Sequence, residues 1–158
     1  MNRRMPVFHQ RGVTLLELVM VLVIVGLLAA IAVPRLSLTD AGVHAQAAQL
    51  ARDIRHVQML AMSQGRTLTF ESLGGGYRCV DTAPTPAVIT DPATQQPFSL
   101  TLDHGVTATA GSVSFDSLGR PVNGGALLGG AVGFTVSGGG QSATLSVSPV
   151  TGFVTVSP

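Results

Sequence analysis

The residues that could do chemistry in this chain are few and scattered. It has four histidines, eight acids and one cysteine. His44 and His56 lie too far apart along a helical pattern to bind one ligand, and His104 is not spaced from either as in a common metal motif. No serine lies in a G-x-S-x-G pattern, and the glycine clusters lack the Lys-Ser/Thr of a phosphate loop. The sequence therefore predicts no enzyme activity, no cofactor and no metal site.

A single acid inside an apolar run is the chemical feature that needs an explanation. The run from Val13 to Val33 covers roughly 31 Å as a helix, which is enough to cross a bilayer core. Glu17 lies near its start, although an ionised side chain at membrane depth costs a few kcal/mol without a partner. If the chain is cut between Gly12 and Val13, the new α-amino group lies about one helical turn from Glu17. The carboxylate could then pair with that ammonium, in its own chain or in a staggered neighbour, and register one subunit against the next.

Two other interpretations of this segment remain open on the residues alone. An ordinary secretory signal would use Ala30-Ile31-Ala32 as its cleavage site and release a soluble periplasmic binding protein after Ala32. A simple membrane anchor would keep the basic flank, Arg3, Arg4 and Arg11, in the cytoplasm. The apolar run is too long for an ordinary secretory signal, and neither the signal nor the simple anchor explains Glu17.

The sequence Gly-Val-Thr-Leu-Leu-Glu-Leu-Val at residues 12–19 resembles the processing signature of type IV pilins and of the pseudopilins of type II secretion. The resemblance implies that a prepilin peptidase cuts after Gly12 and methylates Val13, and that Glu17 guides assembly. It also places Gly26 and Pro34 where that family has helix-weakening residues. The family most often has Phe as its first mature residue, where this chain has Val13.

Composition and periodicity divide the chain into four segments, and the resemblance implies the role and location of each. We expect a cleaved cytoplasmic leader (1–12), a transmembrane or filament-core helix (13–35), an amphipathic helix (36–65) and a β-rich periplasmic domain (66–158). Pro34 predicts a kink or an opened turn near Val33, Asp40 a helix N-cap and Gly65 the helix end. Apolar residues recur with helical spacing and predict a stripe that packs on the protein's own sheet: Val43, Ala47, Leu50, Ile54, Val57 and Ala61.

After Gly65 the pattern alternates as in strands. Thr67–Glu71 and Tyr77–Val80 predict a hairpin across three glycines, with Cys79 on a buried face. Residues 81–96 predict a long loop, which we take as the exposed contact region. Further strands are expected near 106–109, 113–115, 133–137, 143–147 and 153–156, so that the C-terminus is tied into the sheet.

Two C-terminal sequences add to the resemblance. Phe-Asp-Ser-Leu-Gly-Arg at 115–120 and Ser-Pro-Val-Thr-Gly-Phe at 148–153 are similar to the minor pseudopilins grouped with type II secretion protein H, to FimT pilins and to minor pilins of the mannose-sensitive haemagglutinin system. The expected fold is α+β and pilin-like: a long N-terminal helix, half membrane and half amphipathic, packed on a C-terminal antiparallel β-sheet domain.

The resemblance implies a minor subunit of a type IV pilus or a type II secretion pseudopilus. Its partners would be other pilins through the N-terminal helix, the prepilin peptidase and an inner-membrane assembly platform. It would cross the bacterial inner membrane once with its domain in the periplasm, and then join the filament. The alternatives are the soluble periplasmic binding protein above and an adhesive or DNA-binding minor pilin that uses the 81–96 loop. The charges argue against nucleic acid, because no Arg or Lys follows Arg120.

Overall fold

The structure is a computed structural model that describes residues 14–82 and 84–158, with the backbone alone for residues 29–41. The predicted leader, Gly12 and Val13 lie outside the described residues. The chain divides into two compact units, Met1–Leu36 and Ser37–Pro158.

One helix, α1, runs from Leu15 to Gln64. It ends at Gly65, as predicted, because that residue has a φ of 65° and glycine adopts this left-handed conformation without a Cβ clash. Pro34 and Asp40 both lie inside the helix. The predicted N-cap at Asp40 is therefore wrong, because the preceding helical turns already supply carbonyl partners for the amides there. Within the described residues, no helix is both long enough and apolar enough to cross a membrane.

The amphipathic stripe of the second unit is confirmed. Val43, Leu50 and Ile54 are fully buried, and so are the other stripe residues. This face of α1 packs on a core formed from both sheets of the domain. The helix is thus held by apolar burial, which contributes about 1.5–3 kcal/mol for each large side chain removed from water.

Eleven strands follow the helix in the described residues. They are β1 (Leu68–Ser72), β2 (Gly76–Asp81), β3 (Ala87–Val88), β4 (Ser99–Thr101), β5 (Thr107–Ala108), β6 (Gly111–Phe115), β7 (Pro121–Asn123), β8 (Ala126–Leu127), β9 (Val132–Gly138), β10 (Gln141–Val147) and β11 (Val154–Ser157).

These strands form two antiparallel sheets within the described residues. The larger sheet has the order β3-β2-β1-β6-β7-β8, with β4 also paired to β2. The smaller sheet has the order β11-β10-β9-β5. The α+β fold class, a long N-terminal helix with antiparallel sheets, is therefore confirmed. The C-terminal strand β11 pairs with β10, which confirms that the C-terminus is tied into the sheet.

The predicted 81–96 loop is more ordered than expected. Ala87 and Val88 form β3 against β2, Ile89 is buried, and Thr90 bridges to Pro97. The sequence signal was hidden because a two-residue strand has no detectable alternation. Much of the segment is nevertheless exposed, including β3 and a tight turn over residues 91–96, and the turn contacts α1 through Asp91 and His56.

Aromatic rings join the sheets at the centre of the domain. The Phe70 ring on β1 lies 5.3 Å from the Tyr77 ring and 5.7 Å from the Phe134 ring of the smaller sheet. Cys79 is fully buried beside them in the same core. Burial raises the pKa of its thiol to about 12, so Cys79 is a core residue as predicted.

Candidate assembly segment and candidate binding cleft

The start of α1 is capped by a side chain that the sequence interpretation missed. The Thr14 hydroxyl accepts a hydrogen bond from the Glu17 N–H at 3.2 Å, and the Thr14 carbonyl accepts one from the Leu18 N–H at 3.1 Å. Thr14 is thus the N-cap, and Glu17 is the third helical residue. The signal was present as Thr-x-x-Glu, the spacing of a capping box. Glu17 therefore lies in the first turn, where its carboxylate also faces the positive end of the helix dipole.

The described part of the N-terminal segment is exposed and apolar on every side. Between Leu15 and Leu28 the large hydrophobic side chains are 47–82% exposed, and Glu17 is the only charge. Gly26 lies in this segment with no atom within 4 Å of the place where a Cβ would stand. A helix that is hydrophobic all round is stable only when something covers it.

A cleft of about 390 Å³ lies in the second unit, between α1 and the chain from Asp91 to Leu100. The helix contributes Gln49, Asp53 and His56, whose spacing of four and three residues puts them on one face. Phe98 and Leu100 give the opposite wall an apolar part. The cleft therefore combines two carboxylates with an aromatic surface.

Asp91 organises the turn that borders the cleft. Its carboxylate accepts hydrogen bonds from the Ala93 N–H and from the Thr94 hydroxyl, both at 3.1 Å. The Ala93 N–H and the hydrogen bond with His56 hold the pKa of Asp91 below its usual range, against the opposing effect of partial burial. The His56 Nε2 lies 3.3 Å from Asp91 Oδ1, and the His56 ring stacks on Phe98 at 5.8 Å. This histidine ties the turn to the helix.

Asp53 lies deeper against the sheet. The Tyr77 hydroxyl donates a hydrogen bond to Asp53 Oδ2 at 2.5 Å. Burial raises the pKa of Asp53, although the Tyr77 hydroxyl and the positive charge of Arg52 oppose that shift. Burial and the nearby carboxylate also raise the pKa of Tyr77, which therefore remains a donor.

The other acidic side chains of the domain are mostly paired with arginine. Ion pairs join Arg66 to Asp81, Arg78 to Glu71 at 2.8 Å, and Arg120 to Asp116 at 2.8 Å. Partial burial opposes ionisation of Asp116, but the Arg120 and Leu118 N–H groups and the Arg120 guanidinium hold its pKa below the usual range. Among the described residues, Asp53 and Asp91 line one cleft without an arginine within ion-pair distance of either.

The two C-terminal sequences that carried the resemblance form turns that meet at one helix residue. The Gln58 Nε2 donates to the Gly119 carbonyl at 2.7 Å and to the Thr151 carbonyl at 2.9 Å. Nearby, the Arg55 guanidinium donates to the Val154 carbonyl at 2.7 Å. These contacts attach both turns to α1, so the two sequences have a structural role within the domain.

The other histidines of the described residues are not part of the cleft. His44 is exposed, and His104 lies in a turn with a φ of 57°. Across the described ranges, no group of three or more histidine, cysteine, aspartate or glutamate side chains is arranged to hold a metal ion. The predicted cleavage site at Gly12 and Val13 lies outside the described residues, as does the Pro34 side chain.

Comparisons with known proteins agree with this architecture. The family model "Type II transport protein GspH" matches residues 46–152, and the model "Prokaryotic N-terminal methylation motif" matches residues 8–33. Two crystal forms of the type IV minor pilin FimU of Pseudomonas aeruginosa have the same fold. They share 18% and 19% identity with this chain at TM-scores of 0.56 and 0.53, and the alignments cover 73% of this chain and 88% and 92% of FimU. A comparison with curated proteins found no match.

Proposed function

The chain belongs to the type II transport protein GspH family and is a minor pilin or pseudopilin subunit, and we propose that its N-terminal helix is processed after Gly12 and then carries assembly. One observation supports the proposal most directly. The methylation motif matches residues 8–33, and α1 begins within that range with a capped first turn and exposed apolar side chains. The family and the fold are those of structural subunits rather than enzymes.

Cleavage after Gly12 would create an α-amino group at Val13, directly before the Thr14 cap. Because Thr14 already begins the helix, the removal of the leader leaves every described hydrogen bond of the first turn in place. The new ammonium and the Glu17 carboxylate of a staggered neighbour can then form an ion pair. In an apolar environment such a pair is costly to break, because the remaining charge would lose its partner.

The exposed segment from Leu15 to Leu28 needs a partner surface before and after assembly. We propose that lipid of the inner membrane covers it first, in a single pass with the domain in the periplasm, and that neighbouring subunit helices cover it in the filament. The prepilin peptidase and an inner-membrane assembly platform are the partners that this route requires. Gly26 and Pro34 would allow the helix to adapt between the two environments.

The competing functions have less support. An ordinary signal peptide released after Ala32 leaves the methylation motif and Glu17 unexplained. A DNA-binding surface needs a cluster of free cations. Among the described arginine side chains, Arg66, Arg78 and Arg120 are each paired with an acid and Arg55 is bonded to a carbonyl, so Arg52 alone does not make such a cluster.

Two measurements test the proposal. The first is the N-terminal mass and sequence of the protein purified from membranes of cells that contain a prepilin peptidase. Methylated Val13 at the N-terminus is expected, and a chain that begins at Val33 would contradict it.

The second is incorporation of Glu17→Ala into filaments, with Asp103→Ala as the matched loss of an acid in the domain. We expect cleavage of both variants and incorporation of Asp103→Ala alone, and normal incorporation of Glu17→Ala would refute the pairing.

A further inference from the structure

The cleft between α1 and the 91–96 turn contains two carboxylates, Asp53 and Asp91, that have no described arginine within ion-pair distance. Glu71, Asp81 and Asp116 each lie in an ion pair with an arginine. The described contacts of Asp53 are with the Tyr77 hydroxyl, and those of Asp91 are with His56, a hydroxyl and an amide. Two carboxylates therefore face a common space with no described guanidinium within ion-pair distance of either, although the charge of Arg52 acts on Asp53 from farther away.

The walls of the cleft favour an organic cation over a metal ion. The described residues offer no third ligating side chain with suitable geometry beside a pair of acids. They do offer the stacked rings of His56 and Phe98, with Leu100 beyond them. A planar organic cation is stabilised by an aromatic surface and by carboxylates that accept hydrogen bonds from its N–H groups. A hydrated metal ion is stabilised little by an aromatic surface.

We propose that this cleft binds an arginine side chain of a protein partner, with the guanidinium between Asp53 and Asp91 and its methylene stem against Phe98 and Leu100. A volume of about 390 Å³ lies at the lower end of the range for ligand pockets and suits one inserted side chain. Gln49 and Gln96 lie at the same cleft and offer side-chain carbonyls for the remaining donors. The proposal concerns the domain alone and does not depend on processing or filament assembly.

The state of Asp53 supports this assignment. Burial raises the pKa of its carboxyl, so the ionised form costs stability in the unliganded domain. An inserted guanidinium would lower that cost by adding a positive charge within hydrogen-bond distance of the carboxylate. A desolvated acid at this position lowers the stability of the unliganded domain, which is the trade-off expected of a binding residue.

The test uses the full chain, ¹⁵N-labelled in micelles of a nonionic detergent, titrated with N-acetyl-arginine methylamide. The matched probe is N-acetyl-citrulline methylamide, which has nearly the same shape without the charge. We expect saturable shifts of the His56, Thr94 and Gln96 amide resonances with the arginine probe, weakening with added salt. Equal shifts with both probes, or no saturable shift with either, would overturn the proposal.

Two variants in the cleft and one control variant locate the site. Asp53→Asn keeps an oxygen that can accept from Tyr77, so the fold should persist, and we expect affinity for the arginine probe to fall by about tenfold or more. Asp103→Asn removes the same charge outside the cleft and should change affinity by less than about twofold. Gln49→Arg places a guanidinium one helical turn before Asp53 and should block the probe. Binding that is unchanged in either Asp53→Asn or Gln49→Arg would overturn the assignment.

Discussion

The Gln58 amide connects two distant turns to α1, and its loss should have a measurable cost. Its two hydrogen bonds, to Gly119 at 2.7 Å and to Thr151 at 2.9 Å, are each worth about 0.5–1.5 kcal/mol net. Gly119 is buried whereas Thr151 is exposed, so water can replace the second bond more readily than the first. We therefore expect Gln58→Met, which keeps the side-chain length but loses both donors, to lower the free energy of unfolding by about 1–2 kcal/mol.

The only tyrosine provides the assay. Tyr77 is buried in a chain without tryptophan, so its fluorescence reports unfolding of the domain. Thermal unfolding of the full chain in nonionic detergent should show a fall in Tm of roughly 4–8 °C for Gln58→Met. The matched control is Gln64→Met, because Gln64 on the same helix accepts its hydrogen bonds from Arg66 at the surface. That control should change the free energy of unfolding by less than about 0.5 kcal/mol.

Amide hydrogen exchange measures the local effect of Gln58→Met independently of the melting temperature. The Gly152 N–H donates to Ser148 O at 3.0 Å, and the Gly119 N–H donates to Asp116 O at 2.9 Å, each within one of the two turns. Both amides should lose protection in Gln58→Met and keep it in Gln64→Met. Equal stability of the two variants, together with unchanged protection of these amides, would refute the reasoning.

Three further predictions concern the core and the cleft. Phe70→Ala removes a fully buried ring and should lower the free energy of unfolding by about 3–5 kcal/mol in denaturant titrations. Phe153→Ala, at a ring that is 64% exposed, should cost less than about 0.5 kcal/mol, and similar losses would contradict the burial. The Cys79 thiol should resist iodoacetamide at pH 8 in the native protein and react after unfolding, because it is buried with a pKa raised to about 12; rapid native labelling would count against this. Because the folded pKa of Asp53 is raised, wild-type stability falls as pH rises from the unfolded pKa through the folded one and stays lower above it. Asp53→Asn lacks that fall, so its stability relative to wild type should be greater at pH 7 than at pH 3, and a difference independent of pH would show that Asp53 is not desolvated.

Several features of the fold were predictable because they depend on neighbours in sequence. The stripe from Val43 to Ala61 predicted the buried face of α1, since a helix repeats every 3.6 residues whatever it packs against. The strands β9 and β10 were predicted from the alternation of residues 133–137 and 143–147. By contrast, β3 and β8 have two residues each and exist only because a neighbouring strand pairs with them.

The features of the candidate assembly segment at the start of α1 were predictable for the same reason. The leader, Gly12, Val13 and Glu17 are adjacent along the chain, so the order of residues alone predicted processing and registration, which remain predictions for these positions. The N-cap at Thr14 was also readable from Thr-x-x-Glu, although it was overlooked. The N-cap placed at Asp40 failed because a capping signal marks a helix start only when no helix is already in progress.

The cleft was decided by the tertiary structure. His56 and Asp91 are 35 residues apart, and Asp53 and Tyr77 are 24 apart, so no spacing in the sequence relates them. They meet because the buried stripe of α1 fixes the rotation of the helix over the sheet, which turns Gln49, Asp53 and His56 toward the 91–96 turn. The sequence determined which residues could be charged, capped or cleaved, since those are properties of each residue and its neighbours. Which carboxylates would lack an arginine depended on the packing, because ion pairs form between whatever side chains the fold brings within reach.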